Sequence, residues 1–411
     1  MPNLEIFIKV TCALLIIIGF AQLFGRLIKL IGQPAVVGEM ISGVILGPTV
    51  AGYFFPEAMS EVFPKDIMPV LFVLSNLGLS IYMFLVGAEV DVKLFNKRTI
   101  GDATVLSVAA IIVPFVLGAL IAYGFSDQIN SMHIDSASLI LFLGTAFAIT
   151  AFPMLARILQ ERNIVNTRIG VLSLLSASIQ DVISWIFLAL VTVMATTHNF
   201  ASIITMVVGA TIYILLLFFV VKPLLKKTAK KVNTEKDLSQ GAFAVVMFLL
   251  ILSALVTDKL GLYSVFGGFI FGLAMPRDGK YIHYVSAKIK DITVVVLLPV
   301  FFAFSGLNTN LLRLGELNLW GIAAIIVACA FISKYLSCML TMRWVSNFSW
   351  RESSAIGGLI NARGLMELII ANIGLFYGLI DVGLYSILVM VAITTTLAAM
   401  PIYNLSLGRN N

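Results

Sequence analysis

Charge is scarce in this chain. Only 12% of its 411 residues are Asp, Glu, Lys or Arg, while 60% are hydrophobic. Soluble domains carry about 25% charged residues, so the whole chain, not one segment, has the composition of a membrane protein. Cysteine is scarcer still: Cys12, Cys329 and Cys338 all fall inside apolar runs, without metal-ligand spacing or a disulfide framework, and read as small buried hydrophobes. The three histidines, His133, His198 and His283, lie in loops or at span ends with no nucleophile arrangement beside them. Enzyme chemistry is therefore not expected, and neither is a cofactor. No hydrophilic stretch is long enough for a soluble regulatory domain, the longest running from Lys226 to Gln240. The first apolar run, from about Glu5, has no basic leader or small-residue cleavage site, so it reads as a first span and not a signal peptide.

What the sequence has in abundance is apolar runs of about 20 residues, the length that crosses a bilayer as a helix. Thirteen spans are expected, at 5–29, 34–53, 66–89, 99–124, 137–159, 168–195, 200–224, 239–257, 260–276, 289–307, 316–343, 353–377 and 381–404. Of the 27 Lys and Arg residues, 21 lie in or beside the loops that follow odd-numbered spans and in the C-terminal tail, and three lie on the other side. The positive-inside rule then puts the N-terminus outside and the C-terminus in the cytoplasm. The net charge of +6 is a topology signal, and no nucleic-acid partner is implied. Small size and no targeting segment point to a bacterial plasma (inner) membrane, with the lipid bilayer as the partner.

An internal repeat is visible. Span 2 reads Gly38-Glu-Met-Ile-Ser-Gly43 and span 9 reads Gly267-Gly-Phe-Ile-Phe-Gly272; span 3 ends Gly87-Ala-Glu89-Val-Asp91 and span 10 ends Gly306-Leu-Asn308-Thr-Asn310. Each pair is seven spans apart, so the copies run in opposite directions, the inverted-repeat plan of secondary transporters. Span 5 should then pair with span 12, and both look broken. Span 5 carries Gly144-Thr145 through Thr150-Ala-Phe-Pro153; span 12 carries Gly357-Gly358-Leu-Ile-Asn361-Ala-Arg363-Gly364. Proline removes a donor and glycine tolerates unwinding. Interruptions at matching positions of two halves point to a midplane binding site.

An ionisable group deep in a span costs about 2.5–3.5 kcal/mol on insertion scales and marks function by default. Asp181, near the middle of span 6, is the foremost case: a carboxylate there can hold a proton or a metal cation by turns, which is what an exchanger needs. Lys334, in the middle of span 11, is too deep to snorkel and is expected to neutralise Asp181, or to tether spans 6 and 11. Oxygen ligands suit hard ions, and the Gln180 amide, the hydroxyls of Thr145, Thr150 and Ser178 and the freed carbonyls of span 5 are the candidate co-ligands. Arg363 and Glu367, at i and i+4, form a candidate structural or gating pair. Glu89 is a candidate ion entrance, and Glu39 reads as structural. A cation channel and an exporter of organic ions are the alternative readings.

These segments together resemble the monovalent cation:proton antiporter-2 family, which includes Kef-type potassium efflux systems, plant cation/proton exchangers and bacterial sodium/proton antiporters. The resemblance runs from Gln33-Pro34 and Gly38-Glu39 through Gly87-Ala-Glu89, Thr150-Ala-Phe-Pro153, Gln180-Asp181, Gly267-Gly, Ser305-Gly306-Leu and Lys334 to Gly364-Leu-Met-Glu367. It implies an all-α integral membrane protein of the sodium/proton antiporter fold, with spans 5 and 12 discontinuous and crossed. It implies a single transmembrane transporter domain over 1–411, with a dimerisation part mainly of spans 1–3 and 8–10. The core part would be mainly spans 4–6 and 11–13, about 99–195 and 316–404. A homodimer working by alternating access is expected, exchanging K+, slightly ahead of Na+, for H+. By the family pattern Asp181 matches the ion-binding aspartate and Lys334 the lysine of the eleventh helix. There are departures. Gln180 stands where electrogenic sodium/proton members have a second carboxylate, and Asn308 where plant-type members often have lysine. The nucleotide-binding domain of the gated potassium systems is absent, so nucleotide or glutathione control would need a separate regulatory subunit.

Overall fold

A computed structural model of the chain describes residues 2–89, 97–130, 134–165, 167–196, 200–235, 238–276, 280–316 and 318–408. Asp91, His133 and His198 lie outside the described residues. Among those described, all regular structure is helical. The principal helices are α1 (Pro2–Leu30), α2 (Ala35–Leu46), α3 (Met68–Glu89), α4 (Lys97–Gly124), α5 (Ser136–Ala148), α6 (Phe152–Glu161) and α7 (Arg168–Thr196). They continue as α8 (Phe200–Leu216), α9 (Lys222–Glu235), α10 (Gln240–Lys259), α11 (Ser264–Ala274), α12 (Tyr281–Ile292) and α13 (Leu298–Leu307). The last four are α14 (Trp320–Trp344), α15 (Trp350–Ile360), α16 (Gly364–Phe376) and α17 (Val382–Leu407). Among the described residues, eleven stretches are long and apolar enough to cross a membrane, and α5 and α11 are shorter apolar helices.

Every expected span has its helix, and the differences have local causes. Span 5 is two helices, α5 and α6, and span 12 is likewise α15 and α16. Span 2 does not run unbroken over 34–53: α2 stops at Leu46, and Gly47-Pro48 leads into a short helix, Ala51–Phe54. Pro48 cannot continue the donor ladder. Span 10 begins earlier than expected because Tyr281, Val285 and Ile289 bury one face of α12 at helical spacing. The hydrophilic stretch from Lys226 is helical as far as Glu235, with Leu225 and Ala229 buried on one side. Wide turns at Leu217–Val221 and Thr293–Leu297 join α8 to α9 and α12 to α13.

The chain divides into two compact units. The first comprises Met1–Ile18, Glu61–Val92 and Thr197–Phe304. Its centre is the parallel pairing of α3 with α11, which meet with residue numbers rising together, also packed on α10. A Cβ on Gly268 would strike the Ser80 backbone, and one on Gly272 the Phe84 backbone. Glycine is needed there because the two helices approach at backbone contact, the usual device for helix association in lipid. The second unit comprises Gly19–Ser60, Lys93–Thr196 and Ser305–Asn411. Within it α4 packs on α5, α7 and α14, and α17 packs on α15 and α16, around the two broken helices. Asp181, Lys334 and both breaks belong to this unit.

Candidate functional site

The break in span 5 can be followed one backbone group at a time. Ile149 N–H still donates to Thr145 O, as a helix requires. The next turn would need Phe152 N–H to reach Ala148 O and residue 153 to reach Ile149 O. Pro153 has no N–H, so the Ile149 carbonyl is freed by the sequence itself. Freed buried groups must find other partners, and they do. Lys334 Nζ lies 2.7 Å from Ala148 O, 2.5 Å from Ile149 O and 2.6 Å from Thr150 Oγ1, which engages all three ammonium donors. The Arg363 guanidinium takes Ala146 O at 3.0 Å. Ala151 N–H crosses to Ala362 O at 3.3 Å, and Phe152 N–H turns to Asp181 Oδ1 at 3.4 Å.

Span 12 opens in the matching way. Asn361 and Ala362 close tight turns onto Gly358 O and Leu359 O, and Gly364 takes φ +45, a conformation that favours glycine. Thr150 Oγ1 lies 3.3 Å from Ile360 O. The two unwound segments therefore cross in direct backbone contact.

The charges follow three of the helix ends created by the breaks. The C-terminal end of α5, where carbonyls gather, holds Lys334 and Arg363. The N-terminal end of α6 faces Asp181 through Phe152 N–H. Glu367 lies in the first turn of α16. Cations thus sit at a helix C-terminus and carboxylates at helix N-termini, the favourable sense of the helix dipole. Asp181, Lys334, Arg363 and Glu367 are all fully buried.

The expected residues divide by what they touch. Lys334 does not hydrogen-bond Asp181; its donors go to α5 and Thr150, while the two side chains remain within range of Coulomb attraction. Among the described residues, none donates a hydrogen bond to Asp181 Oδ2. Thr150 and Gln180 are joined, with the Thr150 hydroxyl 2.7 Å from Gln180 Oε1. Thr145 and Ser178 instead turn their hydroxyls to their own helices, onto Leu141 O at 2.6 Å and Leu174 O at 2.9 Å. Arg363 meets Glu367 at 3.5 Å and also donates to Ala330 O at 2.7 Å. Glu89, in the first unit, forms an exposed pair with Lys290 at 3.2 Å.

Other residues are prominent only in three dimensions. Ser176 accepts from the Gln180 amide at 3.0 Å and meets Ser107 of α4 at 3.0 Å. The Ser176/Gln180 spacing of i and i+4 was readable; Ser107 carried no signal. Glu39 is more than structural filler. Its carboxylate grips Arg157 of α6 bidentately, at 2.7 and 3.2 Å. Arg157 also meets Glu161 at 3.3 Å, and Glu161 accepts Ala35 N–H at 3.1 Å, at the start of α2. Arg162 donates to Gly32 O. This cluster clamps α6 to α2.

The family model described as sodium/hydrogen exchanger, transmembrane, matches residues 13–402. A Na+/H+ antiporter of Synechocystis is 35% identical over 390 residues, covering 95% of each chain. A K+/H+ antiporter of Saccharomyces cerevisiae is 31% identical over 98% of this chain and 46% of its own length. Cation/H+ antiporter 19 of Arabidopsis thaliana is 31% identical over 95% and 48%. The chain thus spans nearly all of the cyanobacterial relative and about half of the yeast and plant ones. The solved sodium proton antiporter of Methanocaldococcus jannaschii has the same fold, at a TM-score of 0.67, 17% identity and coverage of 98% of this chain and 99% of that one.

Proposed function

The chain belongs to the sodium/hydrogen exchanger family, multi-pass membrane transporters and not enzymes, and on that premise we propose that it exchanges K+ or Na+ for H+ at Asp181 by alternating access. The observation that carries this reading is the setting of Asp181. It is fully buried, its Oδ1 faces an N–H at the start of α6, and its Oδ2 has no donor among the described residues. A carboxylate so placed keeps one oxygen for a proton or a hard cation, and the two compete. Lys334 and Arg363 hold the α5 carbonyls, so the break keeps its shape whichever ion Asp181 carries.

Gln180 in place of a second carboxylate supports the antiporter-2 branch and a one-for-one exchange, with K+ slightly ahead of Na+. The yeast relative's name agrees with K+; the cyanobacterial name points to Na+. We further propose a homodimer, as the family resemblance implies, in a bacterial membrane, with its C-terminus in the cytoplasm, as the placement of Lys and Arg suggests.

The test uses purified protein in liposomes with a trapped pH dye. A pH gradient is imposed, K+ or Na+ is added, and wild type is compared with Asp181→Asn. Cation-driven dissipation in wild type, lost in the variant, is the expected result, and the ion with the lower half-saturation is the substrate. Folded wild-type protein that shows no cation-driven proton flux would sink the antiporter reading and favour a channel.

A further inference from the structure

A chain of hydrogen bonds leaves the break through Thr150. Lys334 Nζ donates to Thr150 Oγ1, so the Thr150 hydroxyl must send its own proton onward. Gln180 Oε1 is the nearer acceptor at 2.7 Å, against 3.3 Å for Ile360 O. The Gln180 NH2 then points the other way, to Ser176 Oγ at 3.0 Å. Ser176 Oγ meets Ser107 Oγ at 3.0 Å, and Ser107 ends the chain on Ala103 O at 2.7 Å. Thr150, Gln180, Ser176, Ser107 and Lys334 are all fully buried.

The two ends decide the direction of everything between them. An ammonium only donates and a backbone carbonyl only accepts. The sense is therefore Lys334 to Thr150 to the Gln180 oxygen, then the Gln180 NH2 to Ser176 to Ser107 to Ala103 O. Amide oxygen and nitrogen are assigned by their surroundings, and here the surroundings disfavour the reverse. Turning the amide over would push the Thr150 proton onto the longer contact with Ile360 O. It would also require Ser107 to give up its 2.7 Å bond to Ala103 O in order to donate to Ser176.

We propose that Ser107 and Ser176 are positioning residues: from α4 and α7 they hold the Gln180 amide with its oxygen toward Thr150. They thereby present an acceptor, and not a donor, at the break next to Asp181, and so tune cation affinity and the choice between K+ and Na+. This rests on the exchange reading above. Neither serine touches the ion; each acts through Gln180.

The experiment compares wild type, Ser107→Ala, Ser107→Thr and Ser176→Ala in the same proteoliposomes, with Asp181→Asn beside them. Half-saturation is measured for K+ and for Na+. Ser107→Ala and Ser176→Ala should still exchange, with half-saturation raised about fivefold, as for one net hydrogen bond lost. The K+ to Na+ ratio should move as well. Ser107→Thr, which keeps the hydroxyl, should restore both. A merely structural role for Ser107 would lower the amount of folded protein and leave the ratio unchanged. If wild type exchanges and both alanine variants match it in half-saturation and ratio, the serine proposal falls alone. If wild type does not exchange, the proposal falls together with the reading beneath it.

Discussion

The clamp between α6 and α2 offers a test of the fold in which signs as well as sizes are fixed. Arg157 is 17% exposed and Glu39 6%, so the pair is mostly withdrawn from water. Replacing Arg157 by Met leaves the Glu39 carboxylate buried without its partner. Such a change costs about 3–5 kcal/mol in a fully buried pair, and about 3 kcal/mol is expected here because Arg157 keeps some solvent access. Glu39→Met is milder, about 1–2 kcal/mol, because Arg157 retains Glu161 at 3.3 Å. The double variant removes both charges and fills the space with apolar atoms, which is often close to neutral. It should cost about 1 kcal/mol, so the two substitutions should be non-additive by about 3–4 kcal/mol. Stability would be read from unfolding of detergent-solubilised protein, with all four proteins in one micelle type. A double variant whose loss equals the sum of the single losses would refute the clamp, and so would an Arg157→Met variant within about 0.5 kcal/mol of wild type.

Two further outcomes follow from the site. Lys334→Met strips the donor from Ala148 O and Ile149 O, each a buried acceptor worth about 1–3 kcal/mol when orphaned. Part of that is offset by no longer burying an ammonium, so the variant should lose about 2–4 kcal/mol of stability. Thermal unfolding at or above the wild-type temperature would show that the ammonium is not what satisfies the break. Competition of protons and cations at one carboxylate predicts that flux falls toward acid pH. On the acid limb, half-saturation for the cation should rise about tenfold per pH unit, with the maximal rate at saturating cation unchanged. Initial rates over a pH series check this; a constant half-saturation with a falling maximal rate would contradict a shared site.

The spans were legible because a bilayer demands apolar runs of fixed length, and nothing competes with that signal over 20 residues. The broken pair was legible through Pro153 and Gly364, which act on their own backbone. Asp181 stood out as a carboxylate far from any membrane surface. What the sequence hid depends on contacts between distant segments. The carbonyls that receive Lys334 exist as free acceptors only once the chain has unwound at residues 149–151. Ser107 meets Ser176 across 69 positions, and no periodicity links them. Thr145 and Ser178 look like ligands in a list of oxygens, yet a helical hydroxyl has a carbonyl four residues back within reach, and both take it. Glu39 reads as one more buried acid until Arg157 of α6 is placed beside it.

The crossing of the two breaks also bears on how the molecule is made. Thr150 and Ile360 meet across 210 positions, so the ribosome finishes α5 and α6 long before their partners exist. Until Lys334 and Arg363 arrive, the carbonyls at the end of α5 have nothing to bond, and each such group in hydrocarbon costs several kcal/mol. A helix of 13 residues is about 20 Å long, too short to bridge a hydrophobic layer of about 30 Å alone. The early half therefore reaches its final hydrogen-bonding only when the late half completes it. The crossing of the two breaks is thus a joint product of the two halves of the chain.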